Sequence, residues 1–232
     1  CAGASVPKGK SRLYTCQQSI EITETIFSDF KPTKTPFIIV VANPVEIISL
    51  VTHKLTGLPS DHVIGTGTFL DSIRMDQIVS ENNPELSDVK AVLLGEHGSA
   101  AFLSSQLSTV KGDRFVDHFD ESTLSEYMDL VKRSAEEIKS TQDATIYGVS
   151  YCAINIFEML LSNEGGVRPV STLIPEYLKA EIGGADVYLS LNSRIDKNGA
   201  RPLDSYQPDE REMELLKNSY ELILPCIPKK YL

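Results

Sequence analysis

The sequence predicts an α/β protein whose first part forms a largely parallel sheet and whose second part is a mixed α+β domain. Three observations predict it. The run Phe37–Val41 is continuously apolar and β-branched, which is typical of a strand buried on both faces. Helical and strand patterns alternate over residues 10–78, as they do in parallel sheets. Beyond residue 89 this alternation stops, and turns at Gly165-Gly166 and Gly183-Gly184 separate further strands.

The first part is predicted as helix–strand–helix–strand–helix. Apolar residues at helical spacing cover residues 10–29, and the Pro32 to Pro36 segment ends that helix. The strand 37–41 follows. Pro44 suits the first turn of the next helix, which runs to Gly57. A short strand over 62–64 and a helix from Leu70 to Ile78 complete this part.

The second part is predicted to contain both strands and helices without any internal repeat. The acids at the start of its last helix agree with the helix dipole. The predicted elements are a strand at Val89 to Leu94, an extended segment at 101–110, helices at 122–139 and 146–161, strands at 167–174 and 187–191, and a last helix at about 208–224.

Composition excludes several classes of partner. The net charge is −10 and there is no basic block, so nucleic acid and anionic membrane surfaces are not expected partners. No apolar run reaches the ~18–20 residues of a membrane helix, and no leader pattern is visible. The four cysteines make no metal-ligand spacing; we interpret them as thiols of a cytoplasmic protein, the alternative being a disulfide framework.

Polar residues that could carry chemistry follow the predicted strands. Asn43 comes directly after the first strand, and Asp71 and Arg74 project from one face of a helix. His97 follows the strand that ends at Leu94, and Arg12 precedes the first long helix. Each alone has an ordinary structural explanation: a cap, a surface ion pair, a buried histidine or a solvated arginine. Together they supply four roles: a histidine that carries a proton, a carboxylate that orients it, an arginine fork that binds a carboxylate substrate, and a second cation that stabilises developing negative charge.

The glycines of Gly65-Thr66-Gly67 invite comparison with a dinucleotide fingerprint. The third glycine of that motif is absent because Leu70 stands at its position. No acid ends a following strand either. We therefore reject this segment as a phosphate-binding turn.

Taken in order along the chain, these motifs resemble the L-lactate/L-malate dehydrogenase family. The resemblance covers essentially the whole chain and is most specific over residues 40–98. The stretches that carry it are Val41-Ala42-Asn43-Pro44-Val45-Glu46-Ile47, Gly57-Leu58-Pro59, Val63-Ile64-Gly65-Thr66-Gly67-Thr68, Leu70-Asp71-Ser72 with Arg74, and Leu94-Gly95-Glu96-His97-Gly98.

The resemblance implies an NAD-dependent oxidoreductase acting on a small 2-oxo or 2-hydroxy acid. His97 would then exchange the proton with the substrate and Asp71 would orient it. Arg74 would bind the substrate carboxylate, and Arg12, on a closing loop, would polarise the carbonyl.

The resemblance also implies contacts around these four groups. Asn43 and Thr145 would contact the substrate, and Asn43, Val41 and Ser5 the cofactor.

Three departures from the family pattern refine this expectation. Val6 occupies the position that discriminates substrates, and an aliphatic side chain there favours a lactate-type or larger apolar 2-oxo acid over malate. Ser99 replaces a common aspartate beside His97. The first strands and the glycine-rich phosphate turn of the family are absent from this sequence.

From this we divide the chain into the C-terminal part of a Rossmann-type NAD-binding domain (1–67) and a substrate domain (68–232). We expect the chain to be a fragment that binds dinucleotide weakly by itself. The complete protein is expected to be a homo-oligomer. The competing hypothesis is a truncated, non-catalytic interaction or assembly module.

Overall fold

The computed structural model describes residues 12–32, 34–142 and 146–232, without the side chains at positions 12, 136 and 139–142. The helices of this part are α1 (Cys16–Phe27), α2 (Val45–Thr56), α3 (Phe69–Asn82), α4 (Phe115–His118), α5 (Glu121–Gln142), α6 (Tyr147–Leu161), α7 (Glu176–Ile182) and α8 (Glu210–Ile223). The strands are β1 (Ile38–Val40), β2 (Val63–Gly65), β3 (Val89–Lys90), β4 (Leu93–Leu94), β5 (Phe102–Leu103), β6 (Thr109–Val110), β7 (Asp113–Arg114), β8 (Gly166–Leu173), β9 (Tyr188–Asp196) and β10 (Gly199–Pro202). The α/β class predicted from the sequence is confirmed.

Local sequence explains where the main helices begin and end. Pro44 precedes the first turn of α2, and Gly57 ends that helix with a left-handed φ of 62°. The side chain of Asp209 caps α8 by accepting a hydrogen bond of 2.8 Å from the backbone N–H of Glu212. These three residues are the helix signals on which the sequence prediction depended.

A five-stranded sheet in the order β1–β2–β8–β9–β10 runs through the molecule. Strands β1 and β2 are parallel, in register Ile38 to Val63. Strand β2 then pairs antiparallel with β8 through Gly65 and Ser171. Strands β8, β9 and β10 form an antiparallel meander. The predicted parallel part therefore continues directly into the mixed second part as one sheet.

Apolar layers cover both faces of this sheet. Because successive side chains of a strand point to opposite faces, Val63 joins the larger cluster with α2 and α8, whereas Ile64 joins a second cluster with α6. A third cluster packs α3 and α5 against β3 and β6. Helix α3 contributes Phe69 to the second cluster and Met75 and Val79 to the third, and this packing fixes the position of the side chains on its first turns.

The predicted single strand over 89–94 is wrong. Val89 and Lys90 pair with β6, whereas Leu93 and Leu94 pair with β5 in another sheet. Side chains take the backbone donors between the two short strands: Asp76 Oδ1 accepts from the N–H of Ala91 at 2.5 Å, and Ser108 Oγ accepts from Val92 at 3.0 Å. These local bonds replace the strand ladder at that point.

Other elements differ from prediction in extent. The extended segment 101–110 is divided into β5 and β6 by a turn, and the predicted strand 187–191 continues to Asp196. Helix α7 and strand β10 were not predicted. In the described part of the chain, no helix is both long enough and apolar enough to cross a membrane.

Candidate functional site

Helix α3 begins at the carboxyl end of β2 and carries two of the predicted site residues. Its entry is fixed by Thr68, whose N–H donates to Ser190 Oγ at 3.0 Å and whose hydroxyl donates to the carbonyl of Leu93 at 2.5 Å. Asp71 and Arg74 then follow on the first turns of α3, three residues apart and therefore on one face. A rigid helix start thus sets the positions of both side chains.

His97 and Asp71 form a short buried pair. The distance from His97 Nδ1 to Asp71 Oδ2 is 2.6 Å, and the two residues are 9% and 5% exposed. With Nδ1 as the donor to this carboxylate, Nε2 is the ring nitrogen available to another group. The carboxylate would also stabilise a protonated ring. The predicted partnership of these residues is present in the structure.

Arg74 lies against the second oxygen of the same carboxylate. Its Nη1 donates to Asp71 Oδ1 at 3.2 Å, so the two oxygens of Asp71 are divided between the histidine and the guanidinium. Both side chains are largely removed from solvent. A guanidinium in this position offers the planar donor fork that carboxylates bind best.

The loop that carries His97 is fastened by backbone and carboxylate contacts. Gly95 exchanges two hydrogen bonds with Ser190, at 3.0 and 2.9 Å. The N–H of His97 donates to Glu46 Oε1 at 3.0 Å, and the N–H of Ala100 donates to Glu96 Oε2 at 3.1 Å. A Cβ on Gly98 would overlap the Glu96 carboxylate, so a larger residue here would displace that side chain.

Asn43 lies just beyond the carboxyl end of β1, where the chain turns into α2 through a cis peptide bond to Pro44. Its backbone carbonyl accepts a hydrogen bond of 2.8 Å from Ser19 Oγ. Its side-chain Oδ1 is buried and has no hydrogen-bond partner among the described residues. Buried polar atoms are normally paired, so this oxygen is a candidate ligand contact.

The interior behind α3 is apolar. Burial, followed by the negative charge of Asp71, raises the pKa of the Cys152 thiol to about 12. Cys152 belongs to α6, which packs in the same apolar cluster as Phe69 at the start of α3. Charge interactions at the Asp71 carboxylate are therefore stronger than they would be in water.

The remaining predicted residues are described only in part. Val41 follows β1 and is half-buried, next to Asn43. Arg12 begins a short 3₁₀ turn, Arg12–Thr15, that leads into α1, and its side chain is outside the described atoms. Ser5, Val6 and Thr145 lie outside the described residues. Ser99 is exposed, and its carbonyl accepts a hydrogen bond of 3.1 Å from Lys132 Nζ.

Three polar residues of this region were not predicted: Glu46, Glu96 and Ser190. All three are buried and bond to the segments that carry Asp71 and His97. The signal for Glu46 was its charge within the run Val45–Val51, where every other residue except Ser49 is apolar. Ser190, inside a strand, gave no comparable signal.

The chain is similar in sequence to known dehydrogenases. A family model described as lactate/malate dehydrogenase, alpha/beta C-terminal domain, matches residues 68–229. The L-lactate dehydrogenase of Acetivibrio thermocellus is 32% identical over 227 residues, which span 94% of this chain and 70% of that protein. The L-lactate dehydrogenase of Bacillus pumilus is 31% identical over a match that spans 96% of this chain and 72% of that protein.

Solved structures of lactate and malate dehydrogenases are also similar to this chain. The minor L-lactate dehydrogenase of Enterococcus mundtii superposes with a TM-score of 0.82 at 28% identity, over 97% of this chain and 73% of that chain. The malate dehydrogenase of Aeropyrum pernix superposes with a TM-score of 0.88 at 21% identity, over 99% and 75%, and shares the fold.

Proposed function

The chain belongs to the lactate/malate dehydrogenase family, and on that premise we propose that it is an NAD-dependent L-2-hydroxy-acid dehydrogenase. The reaction interconverts a 2-oxo acid and an L-2-hydroxy acid by hydride transfer. The observation that carries the proposal is the 2.6 Å contact between His97 and Asp71, with Arg74 on the other oxygen of the same carboxylate. This arrangement combines a proton carrier with an anion-binding group.

Arg74 binds the substrate in this proposal. Its guanidinium would hold the substrate carboxylate through two parallel hydrogen bonds, while Asp71 keeps the guanidinium in place from one side. Because Arg74 and His97 share Asp71, the bound carboxylate and the proton carrier have a fixed relative position. Thr145 is proposed as a further substrate contact.

His97 moves the proton. In reduction, the protonated ring gives the proton on Nε2 to the carbonyl oxygen, and the Asp71 carboxylate stabilises the charged ring before transfer. Arg12 is proposed to stabilise the developing negative charge on that oxygen. In oxidation, the neutral ring accepts the hydroxyl proton at the same nitrogen.

When bound, NADH would supply the hydride that the carbonyl carbon receives. The residues present fit the reactive end of this cofactor, because the buried Oδ1 of Asn43, which has no partner among the described residues, can accept from an amide. We propose that Asn43, Val41 and Ser5 line the nicotinamide side. NAD rather than NADP is inferred from the family.

Steady-state rates of NADH oxidation test the proposal in the full-length gene product. His97→Ala is expected to lower kcat by about 10²-fold or more, since general acid–base catalysis contributes about 10²–10⁴-fold. His118→Ala is the matched control, because His118 also faces an aspartate, Asp113, but at the exposed end of α4. Equal rates in both variants would end the assignment.

A finer proposal concerns which 2-oxo acid the protein accepts. Val6 has no charge to pair with a second carboxylate, so we propose a monocarboxylic 2-oxo acid with an apolar side chain. Comparison of kcat/KM for pyruvate and for 2-oxo-4-methylpentanoate distinguishes a lactate-type enzyme from a branched-chain one. A preference for oxaloacetate would contradict the proposal.

We also propose that residues 1–67 belong to the NAD-binding domain and residues 68–232 to the substrate domain. Strand β1 pairs with β2 on one edge, and its other edge faces no strand in the described part of the chain. We expect this polypeptide by itself to bind NADH weakly. Fluorescence titration measures this, and a micromolar Kd would contradict it.

Helix α6 supports a homo-oligomer. Its outer side carries five apolar residues that are each more than half exposed: Tyr147, Tyr151, Ile154, Phe157 and Leu161. The helix has one charged residue, Glu158, so the −10 charge of the chain opposes contact between two copies less here than elsewhere. We propose that a second copy covers this side.

Sedimentation of Ile154→Glu tests the α6 contact. We expect a lower mass than for the unsubstituted protein, whereas Val116→Glu, at an exposed apolar residue away from α6, leaves the mass unchanged. A monomeric parent protein would contradict the proposal. Retention of a different protein by α6 would instead favour the interaction module.

The proposed location is the cytoplasm. Cys16 and Cys152 are buried free thiols, and burial raises the pKa of both to about 12. Thiols of this kind suit a reducing compartment, and cell fractionation tests the location.

A further inference from the structure

A buried carboxylate lies at the point where three segments of the proposed site meet. Glu46, on the first turn of α2, is 1% exposed. We propose that Glu46 is a positioning residue that holds the backbone of His97 in place for proton transfer. The inference rests on the proposed function for its effect on turnover, but its structural part can be measured without turnover.

The contacts of Glu46 connect α2 to the His97 loop and to β9. Its Oε1 accepts from the backbone N–H of His97 at 3.0 Å and from Ser190 Oγ at 3.4 Å. The bond to His97 joins residues 51 positions apart in sequence. A hydrogen bond from a backbone N–H to a carboxylate is about twice as strong as a neutral one.

Ser190 extends this connection to α3. Its Oγ accepts from the N–H of Thr68, directly before α3, and its backbone exchanges two bonds with Gly95. Glu46 and Ser190 together therefore link three elements: the segment after Asn43, the helix with Asp71 and Arg74, and the loop with His97. Neither Glu46 nor Ser190 needs to contact the substrate in order to make these links.

The backbone at Gly67 packs closely against Ser190 and Ser171. A Cβ on Gly67 would lie 2.5 Å from Ser190 Oγ and 2.6 Å from the backbone N of Ser171. The ring of His97 is held by Asp71, and its backbone by Glu46. Both ends of the residue are thus fixed by carboxylates that come from different helices.

This arrangement has a specific consequence for the reaction. Displacement of a reacting group by about 1 Å can cost about 10²-fold in rate. Loss of the Glu46 contact should therefore lower kcat, because Nε2 of His97 moves relative to the substrate. It should change KM little, because Arg74 binds the substrate carboxylate and is held by Asp71.

The primary test is amide hydrogen exchange of the His97 backbone, followed by NMR. In Glu46→Ala we expect exchange to be at least about tenfold faster than in the unsubstituted protein, because the acceptor is gone. In Glu46→Gln we expect a smaller increase, since the amide oxygen can still accept. The control is Glu212→Gln, an equally buried carboxylate that accepts from the N–H of Ser105 at 2.8 Å.

Kinetics of the same variants give the second readout. We expect kcat to decrease about tenfold in Glu46→Gln and about a hundredfold in Glu46→Ala, with KM within about twofold. His97 exchange that is unchanged in Glu46→Ala, or that rises equally in Glu212→Gln, would overturn the inference. If the unsubstituted protein reduces no 2-oxo acid, the proposed function fails while the exchange experiment still decides the role of Glu46.

Discussion

Replacing Asp76 by asparagine should stabilise the protein at neutral pH. Asp76 lies on α3, two residues beyond Arg74, and lines a half-open cavity of about 440 Å³ with Lys90, Arg168 and Tyr151. Burial raises the pKa of Asp76 from 3.8 to about 6, although the hydrogen bond from Ala91 N and the charge of Arg168 oppose this change. The Asp76→Asn side chain keeps an oxygen to accept from Ala91 but carries no charge.

The magnitude follows from the two pKa values. Without solvent screening, a pKa change from 3.8 to about 6 corresponds to a loss of about 3 kcal/mol in the free energy of unfolding when Asp76 is ionised. Because Asp76 is only partly buried, solvent screening reduces this to about 1–2 kcal/mol. The unfolded chain loses this proton near pH 4 and the folded chain near pH 6, so the contribution of Asp76 to stability falls as the pH rises through that window.

Urea unfolding at several pH values measures the effect. At pH 7, Asp76→Asn should exceed the unsubstituted protein by about 1–2 kcal/mol in the free energy of unfolding, with the m-value unchanged. The difference should disappear at about pH 3, where Asp76 is mostly protonated in both the folded and the unfolded state. A variant that is less stable at pH 7, or a difference that does not depend on pH, would refute the reasoning.

Two further predictions concern the site and the turn before α3. Asp71→Asn should lower kcat/KM about 10²-fold or more, since the amide cannot stabilise a protonated His97 ring; NADH-coupled rates measure this, and a change below about threefold would contradict it. Gly67→Ala should lower the free energy of unfolding by about 3 kcal/mol, because φ is +52° and the added Cβ would meet Ser190 and Ser171. Gly57→Ala should lower it by only about 1 kcal/mol, because φ is +62° but the added Cβ would have no atom within 4 Å. Urea unfolding of both variants separates steric overlap from backbone strain, and equal losses would exclude the overlap.

Elements with strong local signals could be predicted from the sequence. The β-branched run before Ala42 and the helix between Pro44 and Gly57 lie within a few residues of where they were expected. In both cases the information was contained in neighbouring residues. The meeting of Asp71 and His97, which are 26 positions apart, was instead implied by the resemblance to the dehydrogenase family.

Features that depend on tertiary contacts could not be predicted in this way. The division of the 89–94 strand depends on Asp76 and Ser108, which take the backbone donors of Ala91 and Val92 from other parts of the chain. The charge of Glu46 in a mostly apolar run indicates burial but not its partner, because that partner is a backbone N–H and backbone groups leave no residue-type signal. Helix α7 is a further example, since its seven residues are too few to show a clear periodicity.

The pairing of β2 with β8 has a consequence for how the protein is made. Gly65 and its partner Ser171 are about a hundred residues apart, so during translation the open edge of β2 emerges long before its partner strand exists. Such non-local pairings slow folding and expose a strand edge to other chains in the meantime. Newly made chains should therefore need chaperone protection until β8 has left the ribosome. The proposed NAD-binding and substrate parts should unfold as one cooperative unit because they share this sheet.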